Sequence, residues 1–250
     1  MIRKILPYFI FKRLFGDRIR FQSKFNPKDK DWMKWKKQIV NTYTKRNNRL
    51  INKIVEGNGY KILKNVNLQN KTIFEIGPGR IEHMKYWNNK PKKYILGDIN
   101  KRFLSISSKR IKSKKIKTEK VILNYNNKIK LKNNSVDIII SFYSFEHIHN
   151  LNFFIKEYYR ILKKNGCIVF AIPNEGSVAW GLGRYLINRR EVINKLKINH
   201  DKIICWEHPN FADDILKAFS KYFKLQKIQN FPNLFLDDFI LVKKGIFYKN

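Results

Sequence analysis

From residue 71 onward, short apolar runs alternate with amphipathic stretches, and the alternation predicts strands and helices in turn. Strands are expected at about 71–76, at Tyr94-Ile95-Leu96-Gly97-Asp98, at Val121-Ile122-Leu123, and from Val136 to Phe142, a run apolar except for Asp137 and Ser141. A fifth runs from Cys167 to Ile172 and ends at Pro173-Asn174. Helices are expected between them, over Arg80 to Trp87 and over about 101–112. A third carries the apolar stripe Leu151, Phe154, Ile155, Tyr158, Ile161 and Leu162, with Gly166 as its stop signal. Upstream, Trp32, Trp35, Ile39, Tyr43, Leu50 and Ile54 predict a helix over 31–56 that Gly57 ends. Residues 176–208 show no clear period. Phe211, Ile215, Ala218, Phe219 and Tyr222 then give a helix with Asn210 as N-cap, and runs near 224–229 and 235–243 look like a closing antiparallel hairpin. Strands alternating with helices argue for an α/β fold, a parallel sheet doubly wound with helices on both faces. Such sheets bind ligands at the carboxyl ends of their strands. The chain divides into a helical N-terminal extension, 1–68, and an α/β domain, 69–250.

The first strand runs into Glu75-Ile76-Gly77-Pro78-Gly79, a G-x-G turn where backbone can approach a ligand. A pyrophosphate would be repelled by Glu75, and position 82 is Glu where a dinucleotide turn needs its third glycine. A carboxylate here suits a ligand with an amino group and no phosphate, such as S-adenosylmethionine. Asp98, at the end of the second strand, can accept both hydroxyls of a ribose.

The segment Leu131-Lys132-Asn133-Asn134-Ser135-Val136-Asp137 continues through Phe145-Glu146-His147, then Glu157-Tyr158-Tyr159-Arg160-Ile161-Leu162-Lys163-Lys164-Asn165-Gly166, to Pro173-Asn174. With the turn, it closely resembles the class I S-adenosylmethionine-dependent methyltransferases, type 11 group, over about 70–175. The resemblance implies a Rossmann-like fold and places Gly77, Pro78 and Gly79 against the methionine part of the cofactor, with Glu75 near its ammonium group. It implies that Asp98 holds the ribose, Ile99 packs on the adenine, Asn124 stands at the adenine edge where the family has Asp, and Ser141 and Phe142 line the transfer point. Ile81 stands in place of the family's third glycine. The family builds its acceptor pocket in the segment that corresponds to about 176–209. A hydroxyl acceptor needs a base. His147 is one candidate, with Glu146 beside it; the pair equally suits a structural hydrogen bond. His208 is the other, or else part of a turn fixed by Pro209 and Asn210. Some quinone O-methyltransferases resembling this group hold a metal with E-x-x-E-H; Tyr143 occupies the first of those positions here, and no metal is expected.

Composition adds one large fact, a net charge of +34. It fits an anionic partner, whether nucleic acid, phospholipid or phosphorylated glycan. It fits equally well a genome-wide bias, since 40 Lys stand against 13 Arg. A nucleic-acid methyltransferase is the competing reading, yet no N/D-P-P-Y segment ends the fourth strand and no Pro-Cys ends any strand. A non-catalytic membrane-surface protein is a third. Residues 1–21 mix apolar and basic positions, too short a run for a membrane span; they suit an interfacial helix on anionic lipid or a cap on the main domain. Two cysteines without metal-ligand spacing suit a reducing cytoplasm. The expected acceptor is a small molecule or a glycan- or lipid-linked intermediate, methylated in the cytoplasm or at the inner membrane face.

Overall fold

The computed structural model describes residues 1–47, 50–125, 127–189 and 192–249. Its centre is a seven-stranded sheet. Five strands are parallel: β1 (Thr72–Ile76), β2 (Lys93–Asp98), β3 (Lys117–Ile122), β4 (Val136–Phe142) and β5 (Leu162–Pro173). The closing hairpin β6 (Lys224–Phe231) and β7 (Val242–Tyr248) joins through β7, antiparallel to β5. The order is β3-β2-β1-β4-β5-β7-β6, so strand order reverses between β1 and β4. A ligand is therefore expected outside the carboxyl ends of those two strands.

The two-residue period of the strands builds two cores. Phe74, Ile76, Ile139, Ile168 and Phe170 pack under α6 (Leu151–Ile161) and α9 (Ala212–Phe219), with Tyr158 and Phe219 buried among them. On the other face Ile73, Tyr94, Leu96, Ile138, Ile140 and Val169 pack with Leu104 and Ile111 of α5 (Lys101–Lys112). At about 2 kcal/mol per fully buried large apolar side chain, these two layers dominate the stability of the domain.

The extension is not a separate body. Helices α1 (Tyr8–Phe15) and α2 (Arg18–Phe21) rest on α8 (His200–Glu207), with α7 (Val178–Gly183) beside α1. Arg18 is buried; its guanidinium donates to the carbonyls of Phe15, Pro209 and His208 and stacks on Phe211 at 4.1 Å. Trp206 Nε1 donates to the Phe21 carbonyl at 2.8 Å. Of the two roles weighed for residues 1–21, packing against the domain is the one observed.

Five sequence expectations are corrected. The helix expected over 31–56 is two helices, α3 (Lys30–Asn47) and α4 (Leu50–Tyr60); residues 48 and 49 between them, and the side chains of Ile39, Tyr43 and Leu50, lie outside those described. Gly57 does not end α4, which runs on to Tyr60. The helix expected from Arg80 to Trp87 is a single 3-10 stretch, Glu82–Tyr86, because Ile81 takes the left-handed conformation at φ 53° and breaks the approach. Helix α6 stops at Ile161, five residues short of Gly166; the chain goes directly into β5 and spends Lys163–Gly166 in an irregular bulge with Asn165 at φ 62°. Asn210 does not cap α9; its side-chain amide donates to the carbonyls of Phe145 and Ile148, and Phe211 precedes the helix. The last strand begins at Val242, since Leu234, Phe235 and Leu236 lie exposed in a loop rather than paired.

Candidate active site

The turn after β1 lies at the strand-order reversal. Gly77 and Gly79 take φ of 63° and 52°, the left-handed region that glycine enters without penalty. A Cβ on Gly77 would sit 2.2 Å from Ser144 Oγ, so the first glycine lets the loop after β4 close over the turn. Ile81 makes a third left-handed residue where the family has glycine. Its side chain is buried in the second core, which offsets the roughly 1–2 kcal/mol that this conformation costs a residue with a Cβ.

Glu75 points away from solvent. It lies on the same face of β1 as Ile73, is 1% exposed, and both carboxylate oxygens are engaged: Oε1 with His83 Nε2 at 2.7 Å and Oε2 with the Tyr94 hydroxyl at 2.7 Å. Trp87 Nε1 in turn donates to His83 Nδ1 at 3.0 Å. A second carboxylate is less deeply buried. Glu56 of α4 is half-buried, its hydrogen bond from the Tyr60 hydroxyl is long at 3.4 Å, and burial pushes its carboxyl up to about 7. Helix α4 is held across the end of β4 by Tyr143, whose hydroxyl donates to the Val55 and Glu56 carbonyls at 2.9 and 3.2 Å. Gly59 permits this approach, since a Cβ there would meet the same hydroxyl at 2.2 Å. Nothing in a linear reading marked Glu56; only the packing of α4 brings it to the sheet end.

Asp98 ends β2 with one oxygen accepting the Asn100 backbone N–H at 2.7 Å. Burial pushes its carboxyl up to about 6, against the opposing pull of the Asn100 and Ile99 amides. Ile99 beside it is exposed, as is Asn124 beyond β3. At the end of β4, Ser141 and Phe142 are buried, and Ser141 Oγ has no partner.

Beyond Ser144, a second group forms from distant segments. The rings of His147 and His208 lie 4.7 Å apart between centroids. His147 Nδ1 is 2.6 Å from the Glu207 carbonyl, and its Nε2 is 3.7 Å from Glu146 Oε1. His208 Nδ1 faces Glu175 Oε1 at 3.1 Å, and its Nε2 is 3.8 Å from Glu207 Oε2. Burial pushes the Glu146 carboxyl up to about 7 although His147 opposes this, and its Oε2 has no partner. Burial would also raise Glu175, but Arg184 and His208 hold it well below the usual carboxylate range. Burial lowers His208, with Glu175 pulling the other way. Burial works against charged His147 too, yet Glu146 and Glu207 outweigh it and set the ring above its ordinary value. Glu175 escaped the sequence reading although it follows Pro173-Asn174 at the carboxyl end of β5, where such a sheet places its ligands.

Other motif residues do structural work. Glu157 and Arg160 bind each other, and Arg160 also donates to the carbonyls of Ile129 and Leu131, stapling the loop before β4 to α6. Asn174 is fully buried and donates to the Asp237 and Ile240 carbonyls. A cleft lined by Val66, Lys71, Asp137 and Lys163 opens at the amino ends of the strands, away from this site.

Residues 74–170, which span β1 to β5, match the family model described as methyltransferase domain. Over that stretch the chain is similar to methyltransferase domains. Solved structures agree in fold. The N-methyltransferase NodS from Bradyrhizobium japonicum WM9, in complex with S-adenosyl-L-homocysteine, is 11% identical with a TM-score of 0.60 over 88% of this chain and 99% of that one. An S-adenosylmethionine-dependent methyltransferase from Mesorhizobium loti is 12% identical with a TM-score of 0.55, covering 78% and 98%. Another from Aquifex aeolicus is 15% identical with a TM-score of 0.54, covering 91% and 100%. No curated protein sequence matches the chain. The NodS structure holds S-adenosyl-L-homocysteine, the molecule left when S-adenosylmethionine gives up its methyl group. The residues present fit that molecule: a left-handed glycine turn at the reversal, a carboxylate at the end of β2 beside an exposed apolar side chain, and a buried Ser141 hydroxyl without a partner. Among the described residues no helix is long and apolar enough to cross a membrane.

Proposed function

We propose that the protein methylates an oxygen of a small molecule or of a glycan- or lipid-linked intermediate. The observation that carries this reading is the His147–His208 pair. Two imidazoles 61 residues apart in the chain converge beyond the glycine turn, with Glu146, Glu175 and Glu207 around them. A hydroxyl is a weak nucleophile, and nitrogen ligands or bases set beside carboxylates are what its activation requires.

In this reading Gly77, Pro78 and Gly79 hold the methionine end of the cofactor, and Asp98 holds the ribose. Ile99 and Asn124 flank the adenine, and Ser141 and Phe142 bound the transfer point. Glu56 is a more available counter-charge for the ammonium group than Glu75, whose oxygens are already spent on His83 and Tyr94. S-adenosylmethionine supplies an activated methyl group whose C–S electron pair stays with sulfur when the methyl leaves. The protein's own part is alignment and removal of the acceptor's proton. The net charge of +34 favours an acceptor that is anionic or carried on an anionic surface.

The test is incubation of a cell extract with methyl-labelled cofactor and identification of the labelled product, run with His147→Ala and His208→Ala alongside the natural protein. Each variant should lose turnover by about 100-fold or more while binding S-adenosylhomocysteine within about twofold of the natural protein. Unchanged turnover in both would remove the pair from the reaction. A label found in RNA would replace the small-molecule reading with the nucleic-acid one.

A further inference from the structure

The surroundings of His147 and His208 are built for something other than a free histidine base. One ligand atom each from His147, Glu207 and His208 lies within 4.8 Å of the others. Both rings have their Nδ1 side occupied. Nδ1 of His147 is 2.6 Å from the Glu207 carbonyl, and a carbonyl only accepts, so Nδ1 carries the hydrogen and Nε2 keeps its lone pair. Nδ1 of His208 faces Glu175 Oε1, a fully buried carboxylate that Arg184 also binds. This backing by a carbonyl and a carboxylate is how metal-bound imidazoles are oriented: the far nitrogen is pinned and the near one is left to coordinate. A second observation is independent of the three ligands. Glu146 is 2% exposed, its Oε2 has no partner, and its Oε1 is 3.7 Å from His147 Nε2. A buried carboxylate oxygen that finds no partner among the described residues is unfavourable, and a cation beside it would relieve this.

We propose that His147, Glu207 and His208 bind one divalent transition-metal ion, for which zinc is the best fit, with a coordination position left open for an acceptor oxygen. Two imidazoles and one carboxylate are the donor set of catalytic zinc sites, whereas magnesium and calcium prefer oxygen alone. A tetrahedral zinc site sets its ligand atoms about 3.3 Å apart, so the ion draws the three side chains inward by about 1 Å. His147 is exposed, and Glu207 and His208 keep 16% and 18% of their side-chain surface in solvent, which leaves room for so small a shift. The same small rotation would align His208 Nδ1–H with Glu175, which it now faces without a well-directed hydrogen bond. Tyr143, at the position that the E-x-x-E-H pattern reserves for a ligand, is turned to α4 and takes no part. The ion site stands on its own geometry; its role in holding an acceptor oxygen rests on the proposed methyl transfer.

The experiment takes the full-length protein through a chelator, then titrates Zn²⁺ calorimetrically and Co²⁺ by visible absorption. Expected are one ion per chain with submicromolar affinity for zinc, and a cobalt spectrum of a four- or five-coordinate site. His147→Ala and Glu207→Gln should each weaken zinc binding at least tenfold. Both sites are solvent-accessible, so these two variants decide the matter even if His208→Ala fails to fold. Zinc binding weaker than about 0.1 mM, or binding that both variants leave unchanged, overturns the proposal. S-adenosylhomocysteine binding is measured on the same chelated sample. Cofactor binding without zinc binding sinks the metal site alone, and zinc binding without cofactor binding sinks the methyl-transfer reading while the ion site stands.

Discussion

Asp98 carries the residue-scale argument about the cofactor. Its folded carboxyl sits at about 6, above the ordinary 3.8, because burial disfavours the charged form. The native state therefore binds more protons than the unfolded chain between about pH 4 and 6. The free protein loses stability as pH rises through that window, by roughly 3 kcal/mol in all. That cost is sensible only if a ligand uses the charge. Asp98→Asn should raise the denaturant midpoint of the free protein above pH 6 and weaken cofactor binding by about 100-fold, two charge-assisted hydrogen bonds being lost. Cofactor affinity of the natural protein should fall as pH drops below about 6, and the variant should not show that fall; titration at several pH values measures both. Gly77 is a poorer probe. Val at this position would meet Ser144 and a left-handed backbone, so its loss of binding would report misfolding as much as the site.

Helices and strands were legible where one period ran undisturbed. Helix α5 falls at 101–112 and β4 at 136–142, as their patterns predict. The pattern misled where a single residue took a conformation that its type disfavours. Ile81 and Asn165 are left-handed, and each cut short a helix reading. Gly57 misled the other way, because tertiary packing carried α4 past it. The glycine turn and Asp98 could be placed from the sequence because they lie at the ends of β1 and β2. Glu56, Glu175 and Glu207 could not be read together because three separate elements deliver them. Helix α4 offers a test at this scale. Gly59→Ala should push α4 off Tyr143, since a Cβ would meet the hydroxyl at 2.2 Å. The expected cost is about 2 kcal/mol by denaturant unfolding, and Tyr143→Phe in the same chain should recover part of it, giving a measurable coupling in the double-mutant cycle.

At the scale of the whole molecule, the N-terminal arm is joined to the segment that carries His208. Arg18 ties α2 to the backbone of His208 and Pro209, so the arm fixes the segment that delivers one of the two histidines. Arg18→Ala should lower stability by about 3 kcal/mol in denaturant unfolding, because three buried carbonyls lose a charged donor. Arg18→Lys should recover only part, since a compact ammonium group lacks the flat guanidinium that spans three carbonyls while stacking on Phe211. The same contact has a consequence in time. Arg18 is made before the segment that holds it, since its carbonyl partners stand 190 and 191 positions later. The arm must therefore wait, apolar and strongly basic, while the rest of the chain is made. Its docking closes the longest loop of any contact described here, a step that slows folding. Until those intervening residues have been made the cationic arm has no dock, and the segment that carries His208 is not yet pinned.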